Sequence, residues 1–158
     1  MENIISDKQL KKLAPQLHTN YARLVLVGGC FDLIHQGHLQ FLTKAREAGD
    51  ALVLLLESDK AVTKRKGESR PIHTQIQRAK TLLATSLVDT IILLPYPFED
   101  KDYDRLVMTI KPAIIATTKG DPFLHHKERQ ADLIGAKVVE VIDRLPHYST
   151  TQLIKNKV

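Results

Sequence analysis

With 158 residues the chain is long enough for one sizeable core, and its 43% apolar and 26% charged content excludes a disordered segment. Its single cysteine, Cys30, excludes an intramolecular disulfide and a cysteine-built zinc site. The formal charge of +5 fits an anionic partner, but aromatics at 5% with no Trp leave little for stacking bases. A phosphate-bearing small molecule is therefore favoured over nucleic acid.

The first nine residues are polar and lack the apolar run of a signal peptide. Residues 6–18 predict a leading helix, broken or bent at Pro15. From Arg23 onward, short apolar runs alternate with helical stretches, the pattern of an open parallel sheet covered on both faces. Strands are predicted at 23–27, 51–56, 90–94, 113–116 and 137–141, each rich in Val, Ile and Leu as strands buried on both faces are. Helices are predicted at 37–48, 74–86, 103–110 and 127–134, and a last one starts near Ser149. Gly49 is read as the cap that stops the first of these by adopting a left-handed conformation, and Lys111-Pro112 as the end of another.

The segments 60–70 and 95–102 read as loops. No apolar run exceeds the six residues Ala51–Leu56, far too short to span a bilayer. The expected architecture is a doubly wound, Rossmann-like α/β domain with a five-stranded parallel sheet and helices on both faces. It would form one domain over 1–158, with 1–20 as a helical extension and 21–158 as a nucleotide-binding core. The expected location is the cytoplasm, with no membrane contact.

Such a fold binds ligands at the carboxyl ends of its strands. There the sequence is densest in chemistry: Gly28-Gly29-Cys30-Phe31-Asp32-Leu33-Ile34-His35-Gln36-Gly37-His38. The glycines allow a sharp turn and close backbone approach, and two imidazoles sit where a helix begins and its amides favour an anion. Histidines three apart also suit a metal, but no Glu stands in zinc-protease spacing and no third ligand is near.

Gly29-Cys30-Phe31-Asp32 followed by His35-x-Gly37-His38 resembles the signature of the cytidylyltransferase-like nucleotidyltransferase superfamily. The resemblance continues through Ser58-Asp59, Lys64-Arg65-Lys66-Gly67, Arg70-Pro71 and Gln77-Arg78 to Lys119-Gly120-Asp121 and Tyr148-Ser149-Thr150-Thr151. Within it the chain is most similar to the adenylyltransferase domain of bifunctional heptose kinase/adenylyltransferases, then to glycerol-3-phosphate cytidylyltransferases.

The resemblance implies transfer of a nucleoside monophosphate, AMP favoured, from ATP or CTP to a phosphorylated small molecule such as a sugar 1-phosphate. Mg²⁺ would be carried by the triphosphate, with no protein metal site. It implies catalytic roles for His35, His38 and Lys66. It implies nucleotide contacts from Gly29, Cys30, Phe31, Asp32, Gly37, Lys64, Arg78, Lys119, Gly120, Asp121, Arg144, Ser149 and Thr150. Cys30 also reads as packing, Asp32 as orienting the loop or a histidine or as a plain turn residue, Lys64 as a solvated loop, Arg78 as a support behind the ligand or as surface, and Ser149 as a helix cap.

His147 replaces the glycine usual before Tyr-Ser-Thr-Thr in the heptose enzymes, and Arg144 sits where the glycerol-phosphate enzymes place a phosphate-binding arginine. The run from Asp121 to His126 is typical of neither group, and His125 and His126 read either as lining the acceptor pocket or as facing solvent, with solvent favoured. The alternatives are a CTP-dependent or FAD-synthetase-like relative and, from another class, a non-catalytic nucleotide-sensing module. The resemblance also allows a homodimer.

Overall fold

A computed structural model describes residues 3–142. The strands are β1 (Ile4–Ser6), β2 (Leu24–Gly29), β3 (Ala51–Leu56), β4 (Thr90–Leu93), β5 (Ile114–Thr118) and β6 (Lys137–Ile142). The helices are α1 (Asp7–Asn20), α2 (Gln36–Glu47), α3 (Asp59–Lys66), α4 (Gln75–Ala84), α5 (Asp100–Ile110) and α6 (Leu124–Ile134). All strand pairings are parallel, in the order β1-β4-β3-β2-β5-β6.

The sheet has six strands rather than the expected five, because Ile4–Ser6 adds to the edge of β4. Three residues are too few to show a period, and Ser6 serves a second purpose as the N-cap of α1. Its hydroxyl accepts the Gln9 amide while the Gln9 side chain accepts the Ser6 amide. α1 continues through Pro15 without the expected break. Its face of Leu10, Ala14 and Leu17 is buried, so packing outweighs the one hydrogen bond that proline removes.

Alternation along the inner strands divides the core in two. Leu24, Leu26, Val53 and Leu55 face the layer of α1, α5 and α6, together with Leu10, Leu17, Val107, Ile110 and Ala131. Val25, Val27, Leu52, Leu54 and Leu56 face α2 and α4 with Leu42, Ala45, Ala79 and Leu82. Each fully buried leucine contributes about 1.5–3 kcal/mol by leaving water.

Gly49 is needed for space rather than for a left-handed cap. A Cβ there would lie 2.5 Å from the Arg23 carbonyl oxygen and 2.7 Å from a Val25 methyl. Residues 59–66 are helical, not a loop. Ser58 caps them by accepting the Ala61 amide at 3.1 Å, and a single buried residue, Val62, anchors them. No helix among the described residues is long and apolar enough to cross a membrane.

One feature of the sheet positions the site. β2 pairs with β3 along its whole length but with β5 only at Val25–Ile114 and Leu26–Ile115. The chain also changes direction across the sheet here, since β3 and β4 lie on one side of β2 and β5 and β6 on the other. Beyond Leu26 the carboxyl end of β2 is therefore not laddered to β5, at the switch point where open α/β sheets take ligands.

Candidate active site

The loop from Cys30 to His35 joins that end of β2 to α2. Gly29 is small because Phe31 folds back over it: an added Cβ would stand 3.0 Å from the Phe31 ring. Phe31 and Leu33 both have left-handed backbones, with φ of 48° and 49°. Such residues cost on the order of 1–2 kcal/mol each and persist only when the surroundings fix them.

Asp32, lying between them, supplies the fixing. Its carboxylate is completely buried and accepts from Arg70 Nε (3.0 Å), the Ile72 amide (2.7 Å) and the His73 amide (3.1 Å). Burial would raise this carboxyl, but those amides and the guanidinium outweigh it and hold the group below the ordinary aspartate range.

α2 begins with an unusual cap. Nδ1 of His35 accepts the amides of Gly37 (3.1 Å) and His38 (3.4 Å), and Nδ1 of His38 accepts the amide of His35 (3.2 Å). The two rings stack at 3.7 Å, and Phe31 lies 5.3 Å from the His38 ring. With both Nδ1 atoms accepting, each neutral imidazole carries its proton on Nε2 and has that N–H as its donor. Burial lowers the His35 pKa. Burial, with His35 and Lys66 adding to it against the opposing pull of Asp32, brings His38 down to about 3.

Lys66, at the end of α3, reaches the same loop and donates from Nζ to Cys30 Sγ at 3.2 Å. α3 is tied down at three further points. Asp59 accepts from Arg78, Thr63 donates to the Arg70 carbonyl, and Arg65 donates to Glu57. Cys30 itself is buried.

The expected site residues thus fall into three sets. His35, Gly37, His38, Gly29, Cys30, Phe31 and Lys66 gather around the start of α2. Asp32 and Arg78 belong to the protein interior rather than to a ligand surface. Arg78 is 1% exposed and donates to the Cys30 carbonyl (2.7 Å), the His73 carbonyl (3.1 Å) and Asp59 (2.7 Å), so of the two readings, support and phosphate contact, these bonds fit a brace beneath the loop.

Asp121 is likewise turned inward, accepting from Thr117 Oγ1, Lys127 and the Phe123 amide. Burial would raise its carboxyl, but these donors hold it below the usual range. Lys119 and Gly120 form the exposed turn after β5, with Gly120 at φ 81°. Lys64 is exposed on α3. Arg144, Ser149 and Thr150 lie outside the described residues.

A cleft of about 320 Å³ opens from Gly28 and Gly29 along the α5–α6 face. Glu57, Arg65, Tyr103, His126 and Gln130 line it. Of these five, the sequence singles out only His126, as a residue of the acceptor pocket or of the solvent-facing surface, the latter favoured. Of the other four, only Glu57 carried a usable signal, as the first residue beyond a buried strand. Its amide donates to the Gly29 carbonyl at 3.1 Å, joining the cleft wall to the motif strand. Among the described residues no group of three or more His, Cys, Asp or Glu side chains is gathered to hold a metal.

The cytidylyltransferase-like family model matches residues 26–156. The chain is 34% identical over 154 residues to the bifunctional protein HldE of Wolinella succinogenes, covering 98% of this chain and 31% of that protein. It is 36% identical over 156 residues to the HldE protein of Rhodopseudomonas palustris, covering 97% and 31%. The chain therefore spans about a third of the length of these relatives.

A lipopolysaccharide core biosynthesis protein from Thermoplasma volcanium superposes with a TM-score of 0.61 at 25% identity, covering 80% of this chain and 98% of that one. A pantoate-beta-alanine ligase from Francisella tularensis, with a TM-score of 0.65 at 16% identity over 98% of this chain and 73% of that one, shares the fold. By the family match over most of its length, this chain belongs to the cytidylyltransferase-like family of nucleotidyltransferases.

Proposed function

We propose that the chain transfers AMP from ATP to a phosphorylated small molecule, a sugar 1-phosphate such as heptose 1-phosphate, and releases pyrophosphate. The observation that carries this is the pair of Nε2–H imidazoles at the start of α2 with Lys66 beside them. The HldE relatives and the lipopolysaccharide core biosynthesis protein support the choice of sugar phosphate.

An oxygen of the acceptor phosphate attacks the α-phosphorus, the bond from that phosphorus to the β-bridging oxygen breaks, and pyrophosphate leaves with the bonding pair. The attacking oxygen is already anionic near neutral pH, the second pKa being about 6, so no general base is required. The protein's work is positioning and charge stabilisation. His35 and His38 would donate from Nε2 to the α-phosphate as charge grows there, and the amides at the head of α2 add their partial positive charge. Lys66 would stabilise the same phosphates in the reacting state. Mg²⁺ would come with the triphosphate, screening its charge.

The reading is tested by following pyrophosphate release with ATP or CTP against a panel of acceptors: a heptose 1-phosphate, glycerol 3-phosphate, flavin mononucleotide and phosphopantetheine. ATP with the sugar 1-phosphate should turn over fastest. CTP with glycerol 3-phosphate as the best pair would move the chain to that subgroup, and nucleotide binding without release would make it a sensing module.

A further inference from the structure

The cleft between α5 and α6 carries chemistry that phosphate transfer alone does not use. It begins at Gly28 and Gly29, so a molecule lying in it has one end at the motif loop. Glu57 accepts from Arg65, Lys127 is held by Asp121, and Asp100 adds a further carboxylate to the lining. It is therefore not an anion trap in its own right.

Beside the apolar Leu55 and Phe123, the cleft presents hydrogen-bonding groups of both kinds: the Glu57 carboxylate, the Arg65 guanidinium, the Gln130 amide, the His126 imidazole and the Tyr103 hydroxyl. The Tyr103 ring is fixed edge-on against Phe98 at 4.7 Å, which aims its hydroxyl without spending side-chain freedom. Burial first, then the nearby Glu57, pushes that phenol up to about 12, so it stays a donor at any working pH. A hydroxyl group both donates and accepts, and neighbouring hydroxyls can satisfy a carboxylate and a guanidinium together. A flat apolar group would instead strip water from Glu57 and Arg65 and return no hydrogen bond, gaining only contact with Phe123 and Leu55. The volume, about 320 Å³, lies at the small end of ligand pockets, near 300 Å³, and suits one sugar-sized moiety.

Building on the nucleotidyltransfer reading, we propose that this cleft is the acceptor pocket and that it selects the polyhydroxylated part of a sugar or polyol phosphate through Glu57, Tyr103 and Gln130. The acceptor phosphate then lies at Gly29, facing the imidazole pair.

Steady-state kinetics on Glu57→Gln, Tyr103→Phe and Gln130→Ala, with ATP binding measured separately by titration, test this. Tyr103→Phe keeps the ring against Phe98 and serves if Glu57→Gln folds poorly. Acceptors bearing several hydroxyls should be used and phosphopantetheine and flavin mononucleotide refused. Glu57→Gln should raise the acceptor KM roughly 10- to 100-fold, as losing a hydrogen bond to a charged group does, with ATP affinity within about twofold of wild type. An unchanged acceptor KM in both Glu57→Gln and Tyr103→Phe would overturn the assignment, as would a matching loss of ATP affinity or preferred use of phosphopantetheine. Failure of the transferase reading would look different: wild-type protein would release no pyrophosphate with any acceptor.

Discussion

His35 and His38 cap one another: each presents Nδ1 to the backbone amide of the other, at 3.4 and 3.2 Å. A proton on either Nδ1 would set donor against donor, so the cap and the neutral charge state are one property. His38 is held near a pKa of 3 in the folded chain against 6.5 for an ordinary histidine. The unfolded chain therefore binds more protons between those values, and stability must rise with pH across that window and be lost as pH falls through it. The slope contributed approaches about 1.4 kcal/mol per pH unit. His38→Gln removes the titration but keeps an acceptor at the third helical position, where Gln serves capping boxes well. Denaturant unfolding at several pH values from 7 to 4 should show the two proteins converging on acidification, with the wild type losing more. Parallel curves would mean that His38 is not held neutral. Asp32 also lowers stability in acid, but it does so in both proteins and drops out of the comparison.

The two histidines should separate in their variants. His35→Ala removes the cap as well as a donor, so it should cost about 0.5–2 kcal/mol of stability along with activity. His38→Gln should keep most of the stability at pH 7 and still lower turnover roughly 100- to 1,000-fold, the usual cost of one preorganised oxyanion donor. Melting curves beside pyrophosphate-release rates decide it. Near-wild-type turnover in both variants would remove the imidazoles from the chemistry.

Parts of this were open to reading from the chain and parts were not, for physical reasons. Ala51–Leu56 was bounded correctly because six successive apolar residues, all buried, can only be an inner strand. The histidine pair was visible as chemistry, but not as a reciprocal cap, since capping signals are sought in Ser, Thr, Asp and Asn. α3 was taken for a loop because its charges hide the single anchor Val62. The ion pair of Asp32 with Arg70 spans 38 residues, and the Arg78 bond to the Cys30 carbonyl spans 48. Contacts at such separations are written in the tertiary fold, not in any local pattern. That is why the motif alone left open whether Asp32 and Arg78 touch a ligand or support the loop beneath it.

Asp32 gives the next test. The Asp32–Arg70 pair is almost wholly removed from water, with side chains 0% and 5% exposed. Removing one member of such a pair leaves the other charge buried and costs about 3–5 kcal/mol. Asp32→Asn should therefore unfold at much lower denaturant, and at permissive temperature it should lower turnover by loosening residues 70–73. A stability change within about 0.5 kcal/mol would show that the pair does not anchor the loop.

Lys66 and Lys64 stand two residues apart on α3, yet only Lys66 touches the motif loop. If its charge reaches the phosphates chiefly in the reacting state, Lys66→Ala should lower kcat by a larger factor than it weakens ATP binding. Lys64→Ala, at an exposed position, should change both much less. Equal effects of the two substitutions would mean that the basic helix acts through its overall charge rather than through one amine.

Arg78 distinguishes a support from a ligand contact. Its guanidinium is enclosed, with all three nitrogens donating to the protein, and two of the acceptors are the carbonyls of Cys30 and His73. Lysine has neither the fork nor the reach to serve both carbonyls and Asp59 at once. Arg78→Lys should leave at least one buried carbonyl unsatisfied, at about 1–3 kcal/mol, and let the Cys30 segment shift. Asp59 adds little to that cost, because its side chain is 47% exposed and water replaces its partner. A residue gripping the triphosphate would lose triphosphate affinity while nucleoside affinity stayed constant. A brace beneath the loop predicts the opposite: a lower melting temperature, with triphosphate and monophosphate affinities falling by similar factors because the whole loop is displaced. Titrating wild type and Arg78→Lys with triphosphate, monophosphate and nucleoside, alongside a melting curve, separates the two. A selective loss for the triphosphate with unchanged stability would return Arg78 to the ligand surface.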